Sequence, residues 1–363
     1  MVLILVYIFC GIYAFQFILI AVIGRNYAQK TFYTEEPIQS VSVLIPFRNE
    51  ADRIQNLIHC INKLHIRQEL DVEFLFIDDH STDQSTSVIN NNLKIDYRII
   101  SSAKSGKKEA IRRGCQEAKN TFILTWDADV SVPKDYFDEL TNLPEADMWI
   151  LPVRMNAKSI FGKLAAVDFS WLQLITYVMA VRKKPILCNG ANLLFKKESF
   201  FDAEELRKDY ALVSGDDHFL LHTFKDLKKR ICTSKRMELT VTTEAPNNIR
   251  DLLIQRKRWL SKMKHGWDIN FVFLSIILVF VLLTELACIA YFFVTLNPVF
   301  LIPLGMKFLN EYVLLRLYKK QIDVLTDVPV VMIHQVFFPF YLLIIQLMPK
   351  PLDVRWDHSS ENN

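Results

Sequence analysis

The sequence predicts an α/β domain with a mostly parallel sheet, placed between apolar segments that are long enough to cross a membrane. Two observations predict this fold class. In the middle of the chain, short β-branched runs alternate with segments of helical periodicity, which is typical of βαβ units. Both flanks carry long apolar runs, and a helix of about 20 apolar residues spans the hydrocarbon core.

The average composition excludes several classes of protein. Hydrophobic residues make up 51% and charged residues 23% of the 363 residues, so the chain is not of the disordered class. A formal net charge of +3 is too small to indicate nucleic acid as a partner. The six cysteines are scattered without a close pair, which predicts no disulfide framework or zinc site and suits a reducing cytoplasm.

The first apolar segment, residues 2–23, predicts a transmembrane anchor over residues 1–24. The alternative is a cleaved signal peptide, which needs a basic start and a small-residue cleavage site. No basic residue precedes the segment, so an uncleaved anchor is favoured. Arg25 and Lys30 follow it and place the next domain in the cytoplasm by the positive-inside rule.

A second apolar region, residues 268–350, predicts two or three further membrane helices before a polar tail over 351–363. Residues 269–296 and 328–348 are the stronger spans. The segment between them either crosses the membrane or lies at its interface, because three charged side chains interrupt it: Lys307, Glu311 and Arg316.

The α/β domain is expected over residues 38–265. Its strands are predicted over residues 41–45, 73–77, 96–100 and 121–125, and its helices over 49–64 and 107–118. Ligands of such sheets bind beyond the carboxyl ends of the strands. Two acidic clusters, Asp78-Asp79 and Asp127-Ala128-Asp129, follow strands directly and are the first indication of a functional site.

The second acidic cluster is typical of a cation site. A single Asp after a strand usually caps a helix or closes a turn, and Ser81 and Asp83 are interpreted in that way. Asp127 and Asp129 can converge on one hard cation, Mg²⁺ or Mn²⁺, which shares its oxygen ligands with substrate phosphates. The basic turn Lys104–Lys108 opens a helix and is either an anion site or a solvated turn.

Several motifs resemble, in order and spacing, the family 2 glycosyltransferases. They are Ser42-Val43-Leu44-Ile45-Pro46-Phe47-Arg48-Asn49-Glu50, Phe76-Ile77-Asp78-Asp79-His80-Ser81-Thr82-Asp83, Ser105-Gly106-Lys107-Lys108-Glu109-Ala110, Asp127-Ala128-Asp129 and Ser214-Gly215-Asp216-Asp217-His218. Gln255-Arg256-Lys257-Arg258-Trp259 is similar to the Q-x-x-R-W motif of membrane-bound members, which include cellulose, hyaluronan and ceramide glucosyl synthases. Two positions depart from the family pattern: His80 replaces a Gly, and Asp216 replaces a Glu.

The resemblance implies a GT-A (Rossmann-like) nucleotide-sugar domain that transfers a sugar with inversion, with a UDP-sugar as the expected donor. By the same resemblance, Pro46 and Glu50 flank the nucleobase and ribose, and Asp78 or Asp79 contacts the uracil or ribose. Lys107 lies near the nucleotide. Asp129, with Asp127 beside it, holds the divalent metal (Mg²⁺ or Mn²⁺) on the diphosphate.

The resemblance also assigns the acceptor side. Asp217, preceded by Asp216, matches the catalytic base, and Arg258 offsets charge on the leaving diphosphate. The acceptor site is assigned to four residues: Gln255, Trp259, Asn189 and Gly190. The alternative for Asp217 is a carboxylate favoured by a helix N-terminus, and for Trp259 an interfacial Trp.

Two helical segments have open interpretations. His218 and His222 are spaced i, i+4 but lack the Glu of a metalloprotease motif, so they are interpreted as ordinary helix residues. Residues 159–181 form either an amphipathic helix at the membrane, where a lipid acceptor arrives, or a core helix.

The sequence therefore predicts an integral membrane glycosyltransferase whose catalytic domain is cytoplasmic, at the plasma membrane or, in a bacterium, the inner membrane. Its expected partners are a nucleotide diphosphate sugar, a lipid or glycan acceptor and the membrane. The alternatives are a processive polysaccharide synthase subunit and a non-catalytic membrane scaffold of glycan assembly. Intact Asp129, Asp217 and Arg258 argue against the scaffold.

Overall fold

The computed structural model describes residues 8, 11, 38–206, 216–234, 236–262, 269–322 and 327–348. Apart from the single positions 8 and 11, the anchor expected over 1–24 lies outside the described residues, and so does the polar tail expected over 351–363. The chain divides into two compact units. The sheet unit comprises Thr31–Met155 and Met179–Glu244, and the helical unit includes Asn156–Val178 and Ala245–Pro351.

A seven-stranded mixed sheet forms the centre of the sheet unit, in the order β3-β2-β1-β4-β7-β5-β8. Its strands are β1 (Ser40–Phe47), β2 (Asp71–Asp78), β3 (Arg98–Ser101), β4 (Phe122–Trp126), β5 (Met148–Ile150), β7 (Asn192–Lys196) and β8 (Ile231–Thr233). A separate two-stranded ribbon pairs β6 (Val153–Asn156) with β9 (Val241–Glu244). The four strands predicted from the sequence are present, and they are neighbours in the sheet.

Strands β1 to β4 are parallel to one another, as predicted, whereas β7 runs antiparallel to both β4 and β5. From Val41 to Phe47, every residue of β1 is buried, because both faces of the central strands are covered. Gly114 allows a close approach on one face, since a Cβ there would lie 2.9 Å from Leu44 Cδ1.

Six helices accompany the sheet: α1 (Ile54–Ile61), α2 (Ser85–Asn92), α3 (Lys107–Glu117), α4 (Tyr136–Leu140), α6 (Lys197–Leu206) and α7 (Asp216–Asp226). Helix α1 begins five residues later than the predicted start at Asn49, because side chains of the β2–α2 loop hold the preceding segment. The backbone N–H groups of Asn49, Glu50 and Ala51 donate to Ser81 Oγ, Ser85 Oγ and Asp83 Oδ2 at 3.2, 2.8 and 3.0 Å. Ser81 and Asp83 therefore do more than the local turn role assigned from sequence.

The helical unit contains α8 (Ile249–Lys262), α9 (Ile269–Thr295), α10 (Ile302–Ile322), α11 (Val328–Leu347) and most of α5 (Ile160–Val181). The α5 residues up to Val178 and the whole of α8 thus belong with the C-terminal helices, although the sequence assigned them to the domain over 38–265.

Four helical segments among the described residues are long and apolar enough to cross a membrane: Ile160–Val181, Ser275–Thr295, Pro298–Lys319 and Val328–Leu347. The apolar window of the first is 72% buried within the protein, against 17% for the second. Burial of α5 favours the core-helix alternative for residues 159–181. The three C-terminal segments correspond to the two or three helices predicted over 268–350.

A buried ion pair lies between two of the C-terminal helices. Lys307 Nζ of α10 is 2.6 Å from Glu285 Oε1 of α9 and 3.6 Å from Glu311 Oε1 on its own helix. Gln335 of α11 donates to Glu311 Oε2. Lys307 and Glu285 are almost fully buried, so each charge depends on the other for compensation.

Replacing Lys307 with Met is expected to destabilise the helical unit by about 3–5 kcal/mol, because Glu285 would remain buried without its counter-charge. Unfolding of the detergent-solubilised protein by SDS titration measures the loss. Lys319→Met, at an exposed position of the same helix, is the control and should change stability by less than about 0.5 kcal/mol. The double variant Glu285→Leu/Lys307→Met should recover most of the stability. Equal stability of the single variant and the control would contradict the prediction.

Candidate functional site

The residues predicted to bind a nucleotide sugar lie along one edge of the sheet unit. Pro46 is opposite Ile77 in the parallel β1–β2 register, and Phe47 is opposite Asp78, the last residue of β2. Asp127 directly follows the last residue of β4. Since β1 pairs with both β2 and β4 in parallel, the loops after all three strands meet at the carboxyl edge.

Asp79 is fully buried and holds two neighbouring loops together. Both of its carboxylate oxygens accept from the Gly106 N–H at 2.9 Å, and Arg48 Nη1 is 3.5 Å from Oδ2. Arg48 also donates to Ser105 Oγ at 2.5 Å. Gly106 has a φ of 124°, a conformation that glycine adopts readily, and it immediately precedes α3. Asp79 therefore fixes the start of α3, and its predicted contact with the nucleotide stays a prediction.

The turn after Asp79 keeps the conformation that favours glycine, although this chain has His80 there. His80 has a φ of 61°, which a non-glycine residue adopts at some cost in free energy. Its Nδ1 lies 3.3 Å from Asp79 Oδ1. Next to it, Asp78 Oδ1 accepts from the Ser81 N–H at 2.9 Å. The departure from the family pattern at His80 thus changes the side chain without removing the turn.

Three carboxylates, those of Glu50, Asp127 and Asp129, form what we call the acidic centre. Burial, and next the nearby Asp129 charge, raise the pKa of Glu50 to about 8, while Arg53 acts in the opposite direction. Burial and the Asp127 charge raise the pKa of Asp129 to about 6, opposed by Arg53 and Lys107. The electrostatics therefore favour an added positive charge at this position.

Lys107, the first residue of α3, supplies part of that positive charge. Its Nζ forms an ion pair with Asp127 Oδ1. The position predicted to lie near the nucleotide is therefore at the acidic centre, next to one of the predicted metal ligands. The backbone N–H groups at the start of α3 add a further environment that favours anions.

The acidic centre fits a divalent cation that takes its remaining ligands from a substrate. No group of three or more His, Cys, Asp or Glu side chains positioned for a metal occurs among the described residues. Mg²⁺, however, is usually bound by one or two carboxylates together with substrate phosphates and water. Glu50 Oε2 is buried and has no hydrogen-bond partner among the described side chains and backbone groups. A cation bound beside Asp127 and Asp129 would favour the ionised form of Glu50 and give this carboxylate a counter-charge.

The predicted base, Asp217, is the second residue of α7, and hydrogen bonds orient its carboxylate. Oδ2 accepts from the Gly190 N–H at 3.1 Å, and Oδ1 accepts from the His218 N–H at 2.9 Å. Cys188 Sγ donates to the backbone carbonyl of Asp217 at 3.1 Å. The structure thus brings Asp217 together with the loop that contains Asn189 and Gly190. Only the backbone of Asp216 is described, and Ser214 and Gly215 lie outside the described residues.

A hydrogen bond from β4 links the Asp217 loop to the carboxyl edge of the sheet. Thr125 Oγ1 donates to the Gly190 carbonyl at 2.8 Å, and Thr125 is two residues before Asp127. A small cleft is lined by Thr125, Gly190, Asp217, Lys108, Ile111 and Leu220, among others. The predicted base is therefore linked, through Gly190, to the strand that ends next to Asp127.

The Q-x-x-R-W residues lie on α8 in the helical unit. Gln255 Oε1 is buried and finds no hydrogen-bond partner within the described ranges. The Trp259 ring lies 4.1 Å from Arg256 Cζ and 5.8 Å from the Phe169 ring, centroid to centroid. Arg258 follows Arg256 by two residues on the same helix and is partly buried.

Sequence reasoning assigned no role to Arg48 or Arg53. Arg48 follows β1 directly and Asp79 follows β2. Because these two predicted strands were expected to be neighbours, the pairing of Arg48 with Asp79 could have been predicted from the sequence. Arg53 lowers the pKa of both Glu50 and Asp129, but its sequence position after a loop gives no such signal. His218 and His222 have ring centroids 4.4 Å apart on α7, and their interpretation as ordinary helix residues stays a prediction.

Substituting Glu50 with Gln is expected to reduce the pH dependence of stability in metal-free buffer. Because the pKa of Glu50 in the folded protein is about 8, against an ordinary value of 4.5, the folded state binds the proton more tightly, and stability falls as pH rises between these values. Glu50→Gln should raise the free energy of unfolding at pH 8 by about 1–3 kcal/mol relative to wild type, with a smaller effect at pH 5.

Thermal unfolding at pH 5 and pH 8 with EDTA measures this difference, and Asp52→Asn, an exposed neighbour, is the matched control. The same change of Tm with pH in wild type, control and Glu50→Gln would contradict the assignment.

Comparisons with known proteins agree with this geometry. Residues 42–186 match the sequence model described as "Glycosyl transferase family 2". An undecaprenyl-phosphate 4-deoxy-4-formamido-L-arabinose transferase of Proteus mirabilis is 29% identical over 139 residues, which are 37% of this chain and 43% of that protein. A poly-β-1,6-N-acetyl-D-glucosamine synthase of Staphylococcus epidermidis is 21% identical over 242 residues, 62% of this chain and 54% of that protein.

The chain therefore spans about half the length of these curated relatives. Among solved structures, the mannosyltransferase PcManGT of Pyrobaculum calidifontis, in complex with GDP-Man and Mn²⁺, superposes with a TM-score of 0.51 at 15% identity. The match covers 94% of this chain and 99% of that one, and at this identity it shows the fold alone. The acidic strand ends, the matched segment and the shared architecture together identify the domain. Residues 42–186 belong to the family 2 glycosyltransferases, on a GT-A fold.

Proposed function

We propose that the chain is a membrane-bound glycosyltransferase that moves a sugar, with inversion, from a nucleotide diphosphate sugar to a lipid or saccharide acceptor. The observation that carries the proposal is that β4 leads directly into the acidic centre and is also hydrogen-bonded to the loop that holds Asp217. Thr125 and Gly190 join the two through hydrogen bonds. A divalent-metal diphosphate site and a carboxylate base are the two parts that inverting transfer needs.

The relatives support the proposed donor and the proposed acceptor. The names of the two curated relatives describe transfer to undecaprenyl phosphate and synthesis of a polysaccharide. The solved mannosyltransferase carries GDP-Man and Mn²⁺. A nucleotide diphosphate sugar, with UDP as the expected nucleoside diphosphate, is therefore the proposed donor, and a lipid or glycan is the proposed acceptor.

On the donor side, Asp127 and Asp129 would hold the divalent cation, next to Glu50, the third carboxylate of the acidic centre. When bound, a Mg²⁺ or Mn²⁺ ion supplies charge that stabilises the leaving diphosphate. Lys107 is already at this position through its ion pair with Asp127, so it can turn toward the diphosphate when a cation replaces it. Pro46 and Glu50 are proposed to flank the nucleobase and ribose, and Asp78 or Asp79 to contact the uracil or ribose.

On the acceptor side, Asp217 removes the proton from the attacking hydroxyl. Its carboxylate is fixed by the Gly190 and His218 N–H groups, which limits the directions from which the hydroxyl can approach. Asp216 is the neighbouring carboxylate of the catalytic motif. Asn189, Gly190, Gln255 and Trp259 are proposed to bind the acceptor, and Arg258 to offset charge on the leaving group.

Membrane attachment is the third part of the proposal. The three apolar helices at the C-terminal side, together with the anchor expected over residues 1–24, would fix the catalytic domain on the cytoplasmic face. A processive polysaccharide synthase is the second candidate. The match to the Staphylococcus epidermidis synthase favours it, since that match extends over 62% of this chain.

Incubating membranes that contain the protein with a panel of labelled UDP- and GDP-sugars tests the proposal as a whole. Label in a lipid-soluble fraction indicates a single transfer to a lipid, and label in a polymer indicates processive synthesis. Absence of transfer from every donor, with the protein folded and inserted, would contradict the proposed activity.

Replacing Asp217 with Asn should lower kcat by about 10²–10⁴-fold, because the amide cannot accept the hydroxyl proton. The amide still accepts the Gly190 N–H through its oxygen, so donor binding, measured by calorimetry, should stay within about twofold of wild type. Asp226→Asn, at the exposed far end of α7, is the control. Normal turnover of Asp217→Asn would remove Asp217 as the base.

Removing divalent metal with EDTA should abolish transfer, and Mn²⁺ or Mg²⁺ should restore it. Asp129→Asn should weaken binding of Mn²⁺ in the presence of the nucleoside diphosphate by at least about tenfold, because one anionic ligand is lost. Asp135→Asn, an exposed carboxylate in the loop after Asp129, serves as the matched control. Full activity in EDTA, or unchanged Mn²⁺ affinity of Asp129→Asn, would contradict the metal assignment.

A further inference from the structure

A buried ion pair next to the Q-x-x-R-W motif lies within the helical unit. Arg256 Nε of α8 is 2.6 Å from Asp168 Oδ2 of α5, and the two side chains are 5% and 12% exposed. Arg256 Nη2 donates to the Ala165 carbonyl at 2.9 Å, and the Tyr341 hydroxyl of α11 donates to Asp168 Oδ2 at 2.8 Å. Three helices that are distant in sequence therefore meet at one carboxylate.

Arg256 also contacts Trp259, one turn further along α8. Its guanidinium carbon lies 4.1 Å from the centre of the indole ring, the geometry of a cation–π interaction. The other neighbour of the indole is the ring of Phe169, which follows Asp168 directly in α5. The same two-residue segment of α5 thus contacts the indole on one side and holds the guanidinium on the other.

Burial decides what kind of role Arg256 can have. A guanidinium that is 95% buried and paired with Asp168 is not placed to bind a soluble substrate. Buried charges are costly unless they are paired, and an ion pair of this kind is retained where it specifies geometry. Trp259, in contrast, is partly exposed.

From these contacts we infer that Asp168 and Arg256 are positioning residues for Trp259, and that Asp168, Tyr341 and Phe169 extend the acceptor site beyond the Q-x-x-R-W motif. Asp168 fixes the guanidinium, the guanidinium fixes the indole, and the indole plane then meets the acceptor. The inference rests on the proposed function, because the acceptor role of Trp259 does.

Arg256→Lys is the sharpest variant, because it keeps the positive charge for Asp168 but removes the planar group that stacks on the indole. We expect the KM for the acceptor to rise about three- to tenfold, with kcat and the KM for the donor within about twofold of wild type. Lys163→Met is the control: Lys163 also lies on α5, in an exposed ion pair with Asp327, and its loss should leave all three values unchanged.

A neutral pair separates positioning from folding. Asp168→Asn alone leaves Arg256 without its counter-charge and should lower the yield of folded protein. The double variant Asp168→Asn/Arg256→Gln removes both charges and should recover the yield, yet its acceptor KM should stay high because the cation over Trp259 is gone. Recovery of the wild-type acceptor KM in the double variant would show a merely structural pair and overturn the inference.

A readout that needs no activity completes the test. Acrylamide quenching of Trp259, taken as the difference between each protein and the same protein with Trp259→Phe, should increase in Arg256→Lys. Unchanged quenching, an unchanged acceptor KM, or a rise in the donor KM instead would each overturn the inference. If wild type transfers no sugar from any donor, the proposed function fails, and the quenching result alone then supports or overturns the packing of Trp259 by Arg256.

Discussion

The burial of mutually repelling carboxylates at the ends of two parallel strands is the constraint on which the site depends. Glu50 follows β1 and Asp127 and Asp129 follow β4, and the direct pairing of these strands brings the three side chains to one edge. The raised pKa values of Glu50 and Asp129 reflect the free energy needed to keep these carboxylates ionised here without a counter-ion. A protein retains such a cost where a bound cation relieves it, and Lys107 relieves part of it when no cation is present.

Hydrogen bonds around this edge hold the loops in place, so the carboxylates cannot move apart to reduce their repulsion. Ser81, Asp83 and Ser85 hold the backbone that carries Glu50, and Asp79 holds the loop that carries Lys107. Thr125 then couples β4 to the Gly190 loop, which in turn orients Asp217. Asp127, Asp129 and Asp217 are thus all connected to β4.

The sequence predicted those strands and site residues that a short stretch of neighbouring residues is enough to identify. Strands β1 to β4 were predicted from short β-branched or apolar runs, and the acidic pairs after β2 and β4 indicated the edge where a ligand binds. Strands β5 and β8 are only three residues long, too short for any periodicity, and the antiparallel direction of β7 follows from tertiary packing. The contact between Arg48 and Asp79 joins residues 31 positions apart, so it follows from the pairing of β1 with β2 and not from the local sequence around either residue.

The location of helix α5 also could not be predicted from the sequence. Its apolar composition is compatible with a membrane helix and with a core helix, and only its burial and the Asp168 pairing favour the core.

The most direct test of the central claim, that the acidic centre binds a nucleotide through a divalent cation, is calorimetric titration of UDP and GDP into the protein, with Mn²⁺ and with EDTA in parallel. The account predicts nucleotide binding that requires Mn²⁺ and is lost in Asp129→Asn, whereas equal affinity in EDTA would contradict it.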